Sequence, residues 1–155
     1  MRFTWVKETA EWERAIPLIA QVPWPAGAYL VRQMENNKLR DWEDVLICWE
    51  NEELVGFCAL LRKDILKETA LTPFISMVFV SEKYRGKRMS EKFVKKAEQK
   101  AYSLDFKSTF IATQHVGLYE KFGYHKIAEQ IDIFNRCLSI YQKNLIVSSK
   151  DDRRK

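Results

Sequence analysis

Apolar and polar positions follow two rhythms along this chain, one of helical and one of strand period, and their succession divides it into elements. The first seven residues fit a short strand. From Glu8 to Ala20 the apolar residues Trp12, Ala15, Ile16 and Ile19 recur at helical spacing, until QVPWP breaks the run. Ala26 to Met34 predicts a second short helix carrying Tyr29, Leu30 and Met34, and NNKLRDWED forms a polar connection. VLICWE and ELVGFCALLRKD are apolar runs separated by the polar pair NE, the pattern of a hairpin. LTPFISMVFV predicts a third sheet strand, with Pro73 near its start, where a missing amide is tolerated.

The longest periodic segment runs from Lys87 to Leu104. Met89, Phe93, Val94, Ala97, Ala101 and Leu104 form its apolar side, and Lys92, Lys95, Lys96, Glu98 and Lys100 the other, which predicts an amphipathic helix. A short strand over 108–113 follows, then a helix over 114–122 stopped by Gly123, then strands over 124–134 and 138–146. The ending SSKDDRRK predicts a disordered tail at 148–155. With no repeat or linker, residues 1–147 read as a single α/β domain whose first half is hairpin-rich and largely antiparallel.

Composition agrees with one domain: 155 residues with 46% hydrophobic and 13% aromatic residues suffice for a continuous core. The formal charge of +5 comes from 26 basic against 21 acidic residues, a mixed and solvated surface. The lysine row of the long helix and the RRK ending lack interleaved aromatics and any reader motif, so no nucleic-acid partner is expected. Cys48, Cys58 and Cys137 show no metal or CxxC spacing and read as small buried apolar residues in a reducing compartment; no metal is expected. The longest apolar run, LVGFCALL, is too short to span a bilayer, so the expectation is a soluble, cytoplasmic protein without a membrane partner.

Candidate chemistry concentrates at YRGKRMS, residues 84–90. A strand passes there through a cationic turn into a helix. Gly86 supplies conformational freedom, and the first amides of a helix lack intrahelical partners at the positive end of its dipole. Arg85, Lys87 and Arg88 add cations to those donors. The arrangement suits a phosphate or pyrophosphate; a solvated basic turn is the plainer alternative. Neither GxxxxGK[ST] nor GxGxxG occurs, which excludes a P-loop nucleotidase or a Rossmann enzyme.

The strand, the YRGKRMS turn and the long helix resemble the acetyl-coenzyme A site of the GNAT superfamily of N-acetyltransferases. GLYEKFGYHKI at 117–127 is similar to that family's LYEKxGF segment, and LVGFCALLRKD and LTPFISMVFV to the strands that precede its turn. The resemblance implies an α/β (α+β) GNAT-like fold, a central mixed, mostly antiparallel sheet with helices on both faces. It implies an acyltransferase that moves acetyl from acetyl-CoA, its cosubstrate, directly to a primary amine of a small molecule or protein, as a monomer or homodimer. The alternative is a noncatalytic acyl-CoA-binding or regulatory module on the same fold.

Residue by residue, the resemblance places the pantetheine arm on backbone groups of Val78, Phe79 and Val80 and the pyrophosphate on Arg85, Gly86, Lys87, Arg88, Met89 and Ser90. Arg88 stands where the family's R/Q-x-x-G-x-G/A pattern has glycine, and Ser90 takes the final small position. Tyr119 matches the tyrosine that protonates the coenzyme A sulfur; its plain alternative is an aromatic core residue beside Val116 and Phe122. The strand over 71–80 holds no carboxylate to take the amine proton, which leaves His115, Asp64 and Glu68 as candidates. His115 has the most suitable ordinary pKa, against the alternative of a capping or core histidine. His125 reads as surface. Trp24, Tyr29 and Met34 border the helix that would cover the acceptor, where packing is the simpler role.

Overall fold

The structure, a computed structural model, describes residues 1–145. It is a mixed α/β fold with β1 (Arg2–Trp5), α1 (Glu11–Ala20), α2 (Pro25–Glu35), β2 (Asp44–Glu50), β3 (Glu53–Leu61), β4 (Phe74–Val80), α3 (Met89–Ser103), β5 (Ser108–Thr113), β6 (His125–Ile131) and β7 (Cys137–Asn144). The strands form one mostly antiparallel sheet in the order β1-β2-β3-β4-β5-β7-β6, with β4 and β5 parallel. The disordered tail expected at 148–155 lies outside the described residues.

The chain clusters into two compact units. The first holds Met1–Leu60 and Met77–Phe93. There β2 and β3 form the expected hairpin across Asn51 and Glu52, and β1 pairs with β2 from Arg2↔Trp49 to Trp5↔Leu46. Trp49 is buried, and its indole N–H donates to Glu11 Oε1 at 2.6 Å, so the ring leaves water without stranding its donor. Phe57 stacks on Phe79 at 5.2 Å, and Trp24 on Phe79 at 5.9 Å. Trp24, Tyr29 and Met34 all lie on or beside α2, with Met34 fully buried and the two aromatics partly so.

The second unit holds Leu61–Ser76 and, among the described residues, 94–145. Antiparallel β5, β7 and β6 carry its sheet, and Phe74 pairs in parallel with Phe110. Leu66, Phe74, Phe110, Leu138 and Ile140 form its core cluster.

Several expectations shift. Helix α1 begins at Glu11 rather than Glu8, because Glu8 is left-handed (φ 66°) and the Thr9 hydroxyl takes the Glu11 amide. Strand β4 begins at Phe74, after Pro73. The helix expected over 114–122 is only a 3-10 turn at Tyr119–Phe122. Upstream of it, Thr113 Oγ1 accepts the His115 amide and Gly117 is left-handed (φ 91°), so the backbone has alternatives to a helix. Val116 is accordingly 89% exposed and shares no buried face with Tyr119. Leu104 lies past the end of α3 and is exposed, and Cys137 is exposed whereas Cys48 and Cys58 are buried.

Candidate active site

The cationic turn is built by an ordered descent from β4 into α3. Met77, buried in the middle of β4, is left-handed (φ 55°), which interrupts the regular strand just before Val78, Phe79 and Val80. These three are half-buried. Close approach to β3 is possible because residue 56 is glycine: a Cβ there would lie 2.3 Å from the Phe79 carbonyl oxygen. Beyond Val80 the chain is tied to β3 twice, by the Ser81 amide on the Val55 carbonyl at 2.8 Å and the Ser81 hydroxyl on the Leu54 carbonyl at 2.9 Å.

A 3-10 turn at Glu82–Tyr84 follows. The Tyr84 hydroxyl donates to Glu53 Oε1 at 2.5 Å and Lys83 Nζ to the same oxygen at 3.1 Å. The bond to Glu53 pushes the Tyr84 phenol up to about 12, while Tyr84 and then Lys83 hold Glu53 below its ordinary value. Arg85 Nε donates to the Val80 carbonyl at 2.9 Å, which ties one of the expected pantetheine-strand carbonyls to the turn.

Gly86 (φ 82°) and Arg88 (φ 60°) are both left-handed, two residues apart, immediately before α3. Arg88 thus adopts a backbone shape that glycine takes freely. Its guanidinium is 86% exposed and lies 3.7 Å from Glu91, directed out of the turn. Lys87 and Arg85 are exposed, Met89 is buried as the first apolar contact of α3, and Ser90 is half-buried. All nine expected donor-side residues therefore lie on one continuous stretch of the first unit. Alternating left-handed backbone can turn the amides of such a stretch toward a common point; Arg85 lies 5.9 Å from the Phe79 ring and Lys87 5.8 Å from the Tyr84 ring.

Tyr119 and His115 belong to the second unit. Tyr119 is 6% exposed, with edge contacts to Phe122 at 6.0 Å and Tyr124 at 6.5 Å. The Tyr124 amide donates to the Tyr119 carbonyl, closing the 3-10 turn before left-handed Gly123. His115 and His125 are exposed. Of the other proton acceptors, Glu68 is exposed and Asp64 is buried. Nothing in the sequence marked the buried state of Asp64, since it comes from contacts remote along the chain.

Among the described residues no group of three His, Cys, Asp or Glu could hold a metal, and no helix is long and apolar enough to cross a membrane.

Comparison with known proteins gives the family and the fold. The sequence model of the acetyltransferase (GNAT) family matches residues 6–124, and the chain belongs to that family. The fold is similar to an aminoglycoside 6'-N-acetyltransferase complexed with coenzyme A (14% identity, TM-score 0.69, 94% of this chain and 98% of that one). It is also similar to a Bacillus subtilis acetyltransferase in complex with CoA (20% identity, TM-score 0.66, 94% and 99%). A putative acetyltransferase from Salmonella typhimurium with acetyl-CoA aligns at 16% identity and TM-score 0.64, over 94% of each chain. No curated protein sequence matches significantly.

Proposed function

We propose that residues 1–147 act as one acetyl-CoA-dependent N-acetyltransferase domain that transfers acetyl directly to a primary amine, of a small molecule or a protein, in a ternary complex. The observation that carries this reading is the pair of left-handed residues, Gly86 and Arg88, just before α3 in a segment that also holds Arg85 and Lys87. Free amides at the start of a helix, with cations in the same segment, support a pyrophosphate there. The solved neighbours that hold CoA or acetyl-CoA support the same donor.

In the reaction the amine nitrogen attacks the thioester carbonyl carbon. A C–N bond forms, the C–S bond breaks with its electron pair going to sulfur, and the Tyr119 hydroxyl gives the thiolate its proton; the nitrogen sheds its remaining extra proton to solvent as the amide forms, and solvent reprotonates the Tyr119 phenolate. A phenol with an ordinary pKa near ~10 is protonated at neutral pH and suits that role. The ammonium must lose one proton before attack. Exposed His115 is one acceptor for it, and the buried Asp64 is another.

The test is thermal unfolding with and without acetyl-CoA. Ligand at about 100 times its Kd adds about 2.7 kcal/mol of stability, and no shift up to millimolar acetyl-CoA would remove the reading. Free-thiol release with a panel of tyramine, spermidine, kanamycin and a lysine peptide then finds the acceptor class. The lack of a carboxylate on β4 favours a second reading, a noncatalytic acyl-CoA-binding module. It predicts a thermal shift with no thiol release from any amine.

A further inference from the structure

Between Val80 and Met89 the buried residue is Tyr84. The cationic turn itself, Arg85 to Arg88, is exposed throughout, and a Cβ at Gly86 would meet nothing within 4 Å. Packing therefore does not fix the left-handed pair at Gly86 and Arg88. Ordering such backbone costs conformational entropy at each binding event unless something nearby already holds it.

The start of β3 supplies that anchor. The Ser81 amide and hydroxyl bond the Val55 and Leu54 carbonyls, and the Tyr84 hydroxyl donates to Glu53 Oε1 at 2.5 Å. Residues 53, 54 and 55 thus each hold the segment 81–84 that leads into the turn. The Ser81 bonds fix its beginning, and the Tyr84 bond fixes its end, next to Arg85. The Tyr84 ring also has Lys87 Nζ 5.8 Å and Lys83 Nζ 5.6 Å from its centroid, so one side chain joins β3 to a cation of the turn. All of these residues belong to the first unit.

Lys83 reaches the same carboxylate at 3.1 Å, but both side chains are more than half exposed, and an ion pair so open to solvent contributes little. The phenol bond is the stronger tie, since its donor sits on a buried ring and its acceptor is ionised. Tyr84, ahead of Lys83, is what holds Glu53 below its ordinary value.

We propose that Glu53 is a positioning residue for the pyrophosphate of acetyl-CoA, acting through the Tyr84 hydroxyl to hold residues 85–88 in a binding-competent turn. The inference deepens the acetyltransferase reading and rests on it. Charge alone predicts the opposite sign. An anion beside a cationic site repels a polyanionic ligand, so removing Glu53 would tighten binding by charge and weakens it by positioning.

The experiment is calorimetric titration of acetyl-CoA into wild type, Tyr84→Phe, Glu53→Ala, Glu53→Gln and the Tyr84→Phe/Glu53→Ala double variant, with KM and kcat wherever an amine is turned over. Tyr84→Phe keeps the ring and every charge. The apparent Kd scales inversely with the fraction of time the turn is competent, and Tyr84→Phe and Glu53→Ala are each expected to raise it about 10-fold. KM for acetyl-CoA rises with it while kcat stays near wild type. Glu53→Gln keeps an oxygen that accepts the phenol proton and recovers most of the affinity. The double variant binds no more weakly than either single one. Glu53 is exposed, so its variants decide the matter alone if Tyr84→Phe does not fold. Unchanged affinity in either single variant, tighter binding by Glu53→Ala, an equal loss in Glu53→Gln, or a loss confined to kcat overturns the assignment; wild-type binding of acetyl-CoA then still supports the acetyltransferase reading. A wild type that does not bind acetyl-CoA overturns both.

Discussion

The Tyr124 hydroxyl donates to Glu98 Oε2 at 2.8 Å and shares a 2.7 Å hydrogen bond with Thr109. Lys143 Nζ reaches the other Glu98 oxygen at 3.2 Å, so α3, β5, β7 and the turn after Tyr119 meet in one buried polar network. Burial, followed by the Glu98 charge, raises the Tyr124 phenol far above its ordinary value and keeps it a donor. Tyr124→Phe strips Thr109 of its partner and leaves Glu98 to Lys143. It is expected to cost about 1–3 kcal/mol in urea unfolding, and an unchanged midpoint would show that the network contributes nothing.

Tyr119→Phe keeps the buried ring and its edge contacts but removes the proposed proton for sulfur. Turnover should fall about 10²-fold or more, with the acetyl-CoA thermal shift close to wild type. Loss of the thermal shift instead would assign Tyr119 to donor binding.

Arg88 carries a side chain on backbone that glycine adopts freely. Arg88→Gly should raise stability by about 1 kcal/mol, and Gly86→Ala, at φ 82°, should lower it by about 1–2 kcal/mol. Because the Arg88 guanidinium is exposed, its loss should weaken acetyl-CoA binding at low salt and much less at high salt, which calorimetry at two ionic strengths measures.

Much of this architecture could be read from the sequence for local reasons. The α3 stripe has the helical period over four turns, and the hairpin around Asn51 and Glu52 is marked by two apolar runs and a polar pair. The GLYEKFGYHKI segment was legible as a motif but not as a conformation, because Gly117 and the Thr113 hydroxyl outweigh its helical spacing. The Asp64 environment was illegible. It depends on the 62–70 loop meeting the β6–β7 turn, through the Ile133 amide on the Ile65 carbonyl and the bridge between Leu66 and Asp132.

Asp64 also sets a pH dependence of stability. Its folded value, about 6, lies above the ordinary 3.8, so the protonated acid favours the folded state. That contribution is complete below pH ~4 and is lost as pH rises through ~6, a change of about 3 kcal/mol. Asp132, held low, works in the opposite sense at acid pH. The difference between wild type and Asp64→Asn isolates the first group: wild type should lose stability relative to the variant from pH ~4 to ~7. A constant difference across that range would contradict the burial described for Asp64.

Gly56→Ala would drive a methyl group into the Phe79 carbonyl at 2.3 Å and against the Phe93 ring at 3.0 Å. The strand must move, at a cost of about 1–3 kcal/mol. If Phe79 belongs to the pantetheine strand, acetyl-CoA affinity should fall more than stability does; equal affinity in the folded variant would separate β4 from donor binding.

The unequal exposure of the cysteines bears on how turnover is counted. Assays that detect coenzyme A by its thiol will also colour with Cys137, which is exposed and bonded to Glu129 at 3.6 Å. Burial, then Glu129, raises its pKa, so the background should develop slowly, one equivalent per chain. Cys48 and Cys58 are buried and stay silent until the protein unfolds. The same reagent therefore reports two things on separate clocks: catalysis in the folded enzyme, and global opening when the second and third thiols appear.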